Sequence, residues 1–201
     1  MELWLLAGLL AVGAWVVKSR EQQRRIALLG QHLGEYRLEK LMETLTQGYL
    51  RALGETDPER AGPIWQLLAA SEQALSAQFS RFAAGFAQVD AAQARVSTLR
   101  WALPLADKLW PQASFDLRAA FRLHANGIAQ VVANTAGLSP KDKAFTLTAE
   151  LFLMQHTCHW FCRSRATASA RMVLRHQTPH AQLVASVSPA TRAAYLALTS
   201  G

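Results

Sequence analysis

The feature that most constrains this chain is an uninterrupted apolar stretch from Leu3 to Val17. The stretch contains no charged or strongly polar side chain, so a helix formed there lacks the polar face of a surface helix. Fifteen helical residues rise about 22 Å, and Lys18 can snorkel outward to help cover the roughly 30 Å of a hydrocarbon core. The pattern therefore predicts a transmembrane anchor over residues 1–18, with residues 3–17 in contact with the lipid bilayer.

Basic residues follow the apolar stretch and set its expected orientation. Lys18, Arg20, Arg24 and Arg25 come directly after it, against the single acid Glu21. The positive-inside rule then predicts a single-pass protein with its N-terminus outside and its body in the cytoplasm, at the inner membrane if the source is bacterial. The alternatives are a buried hydrophobic helix and a short secretory signal. A signal would need a basic start and an A-x-A cleavage site, and neither pattern is present.

The composition of the remaining chain favours helix throughout. It is rich in alanine and leucine and poor in β-branched runs, which predicts an all-α fold with no strand. Apolar periodicity predicts an amphipathic stalk or first body helix over residues 19–54, read as one long helix that stops near Gly54. Residues 55–201 are expected to form a helical bundle of about five to six helices.

The best-defined core element of that bundle is a helix in the first half of the body. Asp57 and Pro58 form a cap and a first helical residue, and the Gly62-Pro63 pair is expected to break and restart the chain. The helix from Pro63 into the nineties carries one apolar stripe, which is typical of a buried face. The stripe consists of Leu68, Leu75, Phe79, Phe82, Phe86, Val89 and Val96.

The segment from Ser97 to Pro111 is unusually apolar for a connection. It contains Trp101, Leu103, Leu105, Leu109 and Trp110. An ordinary packed loop is one interpretation, and a surface that contacts lipid or a partner is the other. After it, Ser114 is expected to cap the next helix, which would place His124 on the apolar face as a core residue.

One cluster of residue types suits metal binding. Cys158, Cys162, His176 and His180 have a C-x3-C and H-x3-H spacing that is close to a two-cysteine, two-histidine zinc site. The sequence around both cysteines predicts the middle of a helix, however, whereas a zinc finger needs its cysteines on a turn. We therefore expect no metal or other cofactor, and expect both cysteines to be reduced thiols that fill small spaces in the core.

The charge of the chain is uneven along its length. The net charge is +7, and no acidic residue occurs from Leu151 to Gly201. Arg163, Arg171 and Arg175 are spaced so that a helix continuing to Arg175 would carry them within about 80° of one another. They are candidates for binding an anionic surface, whether lipid or an acidic partner.

No sequence motif in the chain points to catalysis. There is no phosphate-binding glycine loop, no nucleophile elbow and no H-E-x-x-H pattern, so an enzyme is disfavoured. The leading hypothesis is a non-enzymatic scaffold or interaction module at the inner membrane, with a protein partner of unknown identity. A face of Ala7, Ala11 and Ala14 also allows a homo-oligomer. The alternatives are anionic lipid or nucleic-acid binding through the arginine-rich last quarter, and a zinc or thiol-redox protein that uses Cys158 and Cys162.

Overall fold

The structure is a computed structural model that describes the backbone of residues 2–200 and the side chains of residues 4–57 and 59–200. The described chain is almost entirely helical, which confirms the prediction of an all-α fold. Its helices are α1 Glu2–Leu33, α2 Leu38–Gly54, α3 Pro58–Phe86, α4 Ala106–Leu109, α5 Leu117–Ala133, α6 Pro140–Cys162, α7 Arg165–His176, α8 His180–Ser186 and α9 Pro189–Thr199. One 3-10 turn, Pro111–Ala113, lies between α4 and α5.

A short β-hairpin interrupts the helical body, so the prediction that the chain has no strand is wrong. Strands β1 (Arg95–Ser97) and β2 (Ser114–Asp116) are antiparallel, and Val96 lies opposite Phe115. Ser114 is consequently a strand residue rather than the helix cap that the sequence predicted. Asp116 caps α5 instead, where its carboxylate accepts a hydrogen bond from the Arg118 backbone N–H at 2.9 Å.

The first helix is continuous from Glu2 to Leu33, and a turn over residues 34–37 separates it from α2. The expected single helix from Ser19 to Leu53 is therefore two helices, and the shift of the apolar stripe near Tyr36 marks the break. The second half of α1 packs on the body, where Leu29 is buried and contacts the core. Gly54 ends α2, as predicted.

Within the part of the chain whose side chains are described, no helix is both long enough and apolar enough to cross a membrane. The predicted transmembrane anchor begins at Leu3, whose side chain lies outside those described residues. The all-α fold class is therefore confirmed, and the transmembrane span is not supported.

The body packs around the phenylalanine stripe of α3. Phe79, Phe82 and Phe86 are at most 1% exposed, and Phe121 of α5 meets all three with ring centroids 4.9–6.1 Å apart. The predicted core residues are all buried, but α3 ends at Phe86 rather than in the nineties, so Val89 and Val96 lie beyond it. The predicted break at Gly62-Pro63 is wrong, because α3 runs through Pro63 from its Asp57 cap. Pro63 lies inside the helix, where its missing N–H removes one backbone hydrogen bond.

The helix expected to reach Arg175 also ends early. Helix α6 stops at Cys162, and Arg163 adopts φ −134° and ψ −86°, outside the helical region. The Ser164 hydroxyl then accepts a hydrogen bond from the Thr167 N–H at 3.1 Å and starts α7 as a new helix. A capping hydroxyl at this position gives the free N–H groups of a new helix a partner, which favours a restart over continuation.

Candidate functional site

The first half of α1 is apolar and exposed to solvent. We call residues 4–17 the apolar projection. Its large apolar side chains are exposed by 42–82%. They are Trp4, Leu5, Leu6, Leu9, Leu10, Val12, Trp15 and Val17. Because these side chains, together with the exposed Ala7, Ala11 and Ala14, make every face of the helix apolar, no single neighbouring element of this chain could cover them.

Three polar side chains fix the base of the projection to the body. Glu21 forms an i,i+4 ion pair with Arg25, and the Arg25 guanidinium also donates to the Phe161 carbonyl at 3.4 Å. Gln22 accepts a hydrogen bond from Arg163 at 2.7 Å. The helix therefore leaves the body at the C-terminal end of α6, and its direction is set by these contacts.

An open groove with a largely apolar lining lies between α1, α2 and α6. We call it the α1–α2–α6 groove. Its apolar lining includes Ile26, Leu29, Leu33, Tyr36, Met42 and Met154. Cys158, His159 and Cys162 also line it, from one face of α6.

The two cysteines in the groove are poor nucleophiles. Both are half-buried free thiols. Burial raises the pKa of Cys158 far above its ordinary value and raises the pKa of Cys162 to about 11, although the nearby positive charges of Arg163, Arg25 and Arg171 oppose the second shift. Since the thiolate is the reactive form, this environment disfavours thiol-redox chemistry at neutral pH.

The four residues of the zinc hypothesis are not brought together. His176 lies at the end of α7, stacks on Phe152 and donates to the Gln155 side chain at 3.1 Å. His180 begins α8 and is hydrogen bonded to the Tyr195 hydroxyl at 3.2 Å. In the described residues, no group of three or more His, Cys, Asp or Glu side chains is placed to hold an ion. The zinc alternative therefore gains no support from the geometry.

The three arginines proposed for anionic binding do not form one stripe, because Arg163 and α7 lie on opposite sides of the break at Ser164. Arg163 is exposed and points its guanidinium at Gln22, beside the base of the projection. Arg171 is exposed on α7 and lies 3.2 Å from His159, on the rim of the groove. Burial, followed by the charges of Arg171 and Arg175, lowers the pKa of His159 to about 4. Arg175 lies four residues after Arg171 on α7, so the two share one face of that helix.

Sequence reasoning missed a set of polar groups inside the bundle. Glu150 is fully buried in α6, and its carboxylate accepts hydrogen bonds from the backbone N–H and the hydroxyl of Ser188. His156 is also fully buried, and its ring lies 4.3 Å from that of His180. The expected core position of His124 is confirmed, with a 2.9 Å hydrogen bond to Thr157. The signal available in the sequence was a charged or ionisable residue within the apolar run of α6.

Comparison with protein-family models, with curated proteins and with solved structures finds no match for this chain.

Proposed function

We propose that this protein is a membrane-anchored interaction module with no catalytic role. The apolar projection inserts into the hydrocarbon of a bilayer, and the helical body presents the α1–α2–α6 groove to a protein partner. One observation carries the proposal: the projection exposes eight large apolar side chains, and the remaining face of the same helix carries exposed alanines. Apolar patches of that extent on soluble proteins ordinarily mark a surface that meets lipid or another protein.

A bilayer suits the projection better than a second copy does. A helix–helix seam covers one stripe of a helix and leaves the other faces in water, whereas lipid surrounds a helix completely. Trp4 and Trp15 lie near the two ends of the projection, where amphipathic rings favour the headgroup layer. The basic residues that follow the projection favour a cytoplasmic body, at the inner membrane in a bacterium.

The groove supports a partner of defined chemistry. Its lining is mostly apolar and contains one acid, Glu39, while Arg171 and Arg175 lie on the side where His159 lines it. An amphipathic helix binds such a groove through its apolar face, and acidic side chains along one edge would meet the arginines. We therefore propose an acidic amphipathic segment as the partner. Nucleic acid has less support, because the break at Ser164 separates Arg163 from the two arginines of α7.

Membrane insertion is tested by alkaline extraction of membranes from cells that express the full chain. The intact protein should stay in the membrane pellet. The double variant Leu6→Asp and Leu10→Asp should be released, because each acid near the middle of the inserted segment costs about 2.5–3.5 kcal/mol. The matched control is Leu67→Asp with Phe145→Asp, two body residues that are 72% and 58% exposed. Release of the parent protein by alkali would contradict insertion.

Orientation and the partner need separate measurements. A reporter enzyme active only in the periplasm should be silent when fused after Gly201, and an active fusion would place the body on the other side of the membrane.

The partner of the groove is tested by crosslinking. A photo-crosslinker at Met42 should capture a segment rich in Asp and Glu, and Arg171→Glu with Arg175→Glu should abolish that product. Arg122→Glu with Arg192→Glu, two exposed residues on α5 and α9, is the charge-matched control and should leave it intact. An unchanged crosslinked product in the double variant would contradict the proposal that the groove binds an acidic segment.

A further inference from the structure

A second exposed apolar surface lies at the end of the body from which the projection leaves. We call residues 99–110, between β1 and the 3-10 turn, the lip. Its large apolar side chains are 40–64% exposed. They are Trp101, Leu103, Leu105, Leu109 and Trp110. The prediction from the sequence left two interpretations open, a packed loop or a contact surface, and this exposure favours the contact surface.

The lip is held firmly in place against α1. The backbone N–H of Leu105 donates to the Glu21 carboxylate at 3.3 Å, and Asp107 lies 3.6 Å from the Arg25 guanidinium. Leu105 adopts the left-handed region with φ 56°, which is rare for a leucine. A residue held in this conformation requires surroundings that fix it, and here the bond to Glu21 is part of those surroundings. The exposed side chains therefore project from a defined scaffold.

The lip and the projection share one end of the molecule. Trp101 and Leu103 line the same cleft as Lys18 and Glu21 on α1. Trp15 precedes Lys18 by three residues, which is about 5 Å along a helix axis. The apolar side chains of the lip therefore lie beside the point where the apolar surface of the projection begins.

Positive charge surrounds this apolar surface. Lys18, Arg20, Arg24 and Lys108 line the clefts where the lip meets α1, and the Arg100 guanidinium lies 5.4 Å from the ring centre of Trp101. Three acids line these clefts: Glu21 and Asp107 are both paired with Arg25, and Asp90 is outnumbered by the basic residues around it. Tryptophan and leucine flanked by exposed lysine and arginine match the chemistry of an anionic headgroup layer, with apolar chains below and phosphate above.

We propose that the lip rests in the headgroup layer of the same anionic bilayer that receives the projection, so that the body lies against the membrane surface. The inference rests on the proposed membrane insertion and adds a second point of contact. Two contacts at one end fix the tilt of the body, which a single helix through the same bilayer would leave free.

The test uses the full chain with its two native cysteines changed to alanine and one new cysteine that carries an environment-sensitive fluorophore. The labelled positions are Leu9 in the projection, Leu109 in the lip and Phe145 as the control. Phe145 is 58% exposed, close to the 61% of Leu109, but lies near the start of α6, about 25 Å along that helix from Cys162. Each protein is reconstituted into vesicles of equal parts phosphatidylglycerol and phosphatidylcholine, or of phosphatidylcholine alone. Circular dichroism confirms that each labelled protein keeps its helix content.

We expect a large blue shift at Leu9 in both vesicles. Leu109 should shift in the anionic vesicles and less in the neutral ones, with quenching by lipids brominated near the headgroup, and Phe145 should not shift. A shift at Leu9 with none at Leu109 would contradict the contact between the lip and the headgroup layer, and would still support the membrane anchor. No shift at Leu9 would overturn the anchor and the lip together. A Leu109 shift that appears in detergent without vesicles and grows with protein concentration would assign the lip to a second copy and overturn the lipid proposal.

Discussion

The apolar projection and the phenylalanine stripe of α3 are both strongly apolar, but the protein exposes the first and buries the second. Phe79, Phe82 and Phe86 are at most 1% exposed, whereas the exposed large apolar side chains of the projection are 42–82% exposed. The difference follows from pattern and position, because α3 confines these rings to one face that the body covers, whereas the projection is apolar on every face. Burying such a helix requires neighbours on every side, as α6 has in α1, α5, α7 and α8, and the described residues place none around the projection.

The sharpest test of this contrast is the truncation of one large apolar side chain in each region. Phe82→Ala should lower the free energy of unfolding by about 3–5 kcal/mol, because it leaves a cavity among Phe79, Phe86 and Phe121. Leu9→Ala should change it by less than about 0.5 kcal/mol, since surface substitutions rarely do more. Thermal unfolding in mild detergent, followed by near-ultraviolet circular dichroism, measures both. Equal melting temperatures for the two variants would contradict the claim that Phe82 stabilises the core and Leu9 does not.

The body also contains a buried ion pair. Glu72 is 4% exposed and accepts hydrogen bonds from the Tyr49 hydroxyl at 2.6 Å and from the Lys143 ammonium. Lys143→Met should destabilise the body by about 2–4 kcal/mol, because the carboxylate stays buried without its cation. Denaturant titration gives the value.

The control for the ion pair is an exposed one. Arg60 pairs with Asp57, and its side chain is 70% exposed, so Arg60→Met should cost less than about 1 kcal/mol. Adding Glu72→Gln to Lys143→Met should recover part of the loss. If the Lys143 and Arg60 variants lost equal stability, burial would not be what separates the two pairs.

Glycine substitutions report the same contrast at the backbone. A Cβ at Gly127 would lie 2.3 Å from Thr191 Oγ1 and 2.8 Å from Glu150 Oε2, where α5 approaches α6 and α9. Gly127→Ala should therefore cost about 1–3 kcal/mol, as overpacking does. At Gly13 in the projection a Cβ meets nothing within 4 Å, so Gly13→Ala should stabilise the helix by about 0.5–1 kcal/mol. Melting temperatures that move in the same direction would contradict this pair of expectations.

The buried histidines make the stability of the body dependent on pH. Burial lowers the pKa of His124 to about 3 and that of His156 to about 2. Below about pH 6.5 the unfolded chain binds protons that the folded chain rejects, so stability is full above that pH and falls as the pH drops. Each histidine should remove about 1.4 kcal/mol per pH unit once the pH is well below 6.5.

Melting temperatures between pH 7 and pH 5 test this dependence. The double variant His124→Gln and His156→Gln should show a shallower decline than the parent protein. Val131→Ala is the control, because it weakens the core and keeps both histidines. A decline in the double variant as steep as in the Val131 variant would exclude the histidines as the cause.

The parts of the fold that the sequence predicted are those with strong local signals. The three phenylalanines of α3 recur at helical spacing, Asp57-Pro58 is a capping pair, and Gly54 ends a helix, and the structure contains all of these features. The hairpin was missed because three residues per strand are too few to show an alternating pattern. The break at Ser164 was missed although its Ser-x-x-Thr capping pattern is visible, because the apolar spacing continues on both sides.

The candidate site was less predictable than the fold, since it depends on elements that are distant in the sequence. The arginine stripe required one helix through Arg175, and two non-helical residues, Arg163 and Ser164, separate it into two groups. The lip was visible as an apolar segment, but its position beside Lys18 follows from a contact between residues 84 positions apart. Local sequence patterns predict the helices, whereas contacts between residues distant in the sequence determine which surfaces lie side by side.

The continuity of α1 has a mechanical consequence. A domain joined to its tether by a flexible linker samples a wide volume, whereas here the same hydrogen-bonded helix runs from the projection into the body without a joint. Thirty-two residues of helix form a rod of about 48 Å. The surroundings that bind residues 4–17 therefore also set the orientation of α6 and of the groove. With the lip also in the headgroup layer, a partner would meet the groove at one fixed height and angle.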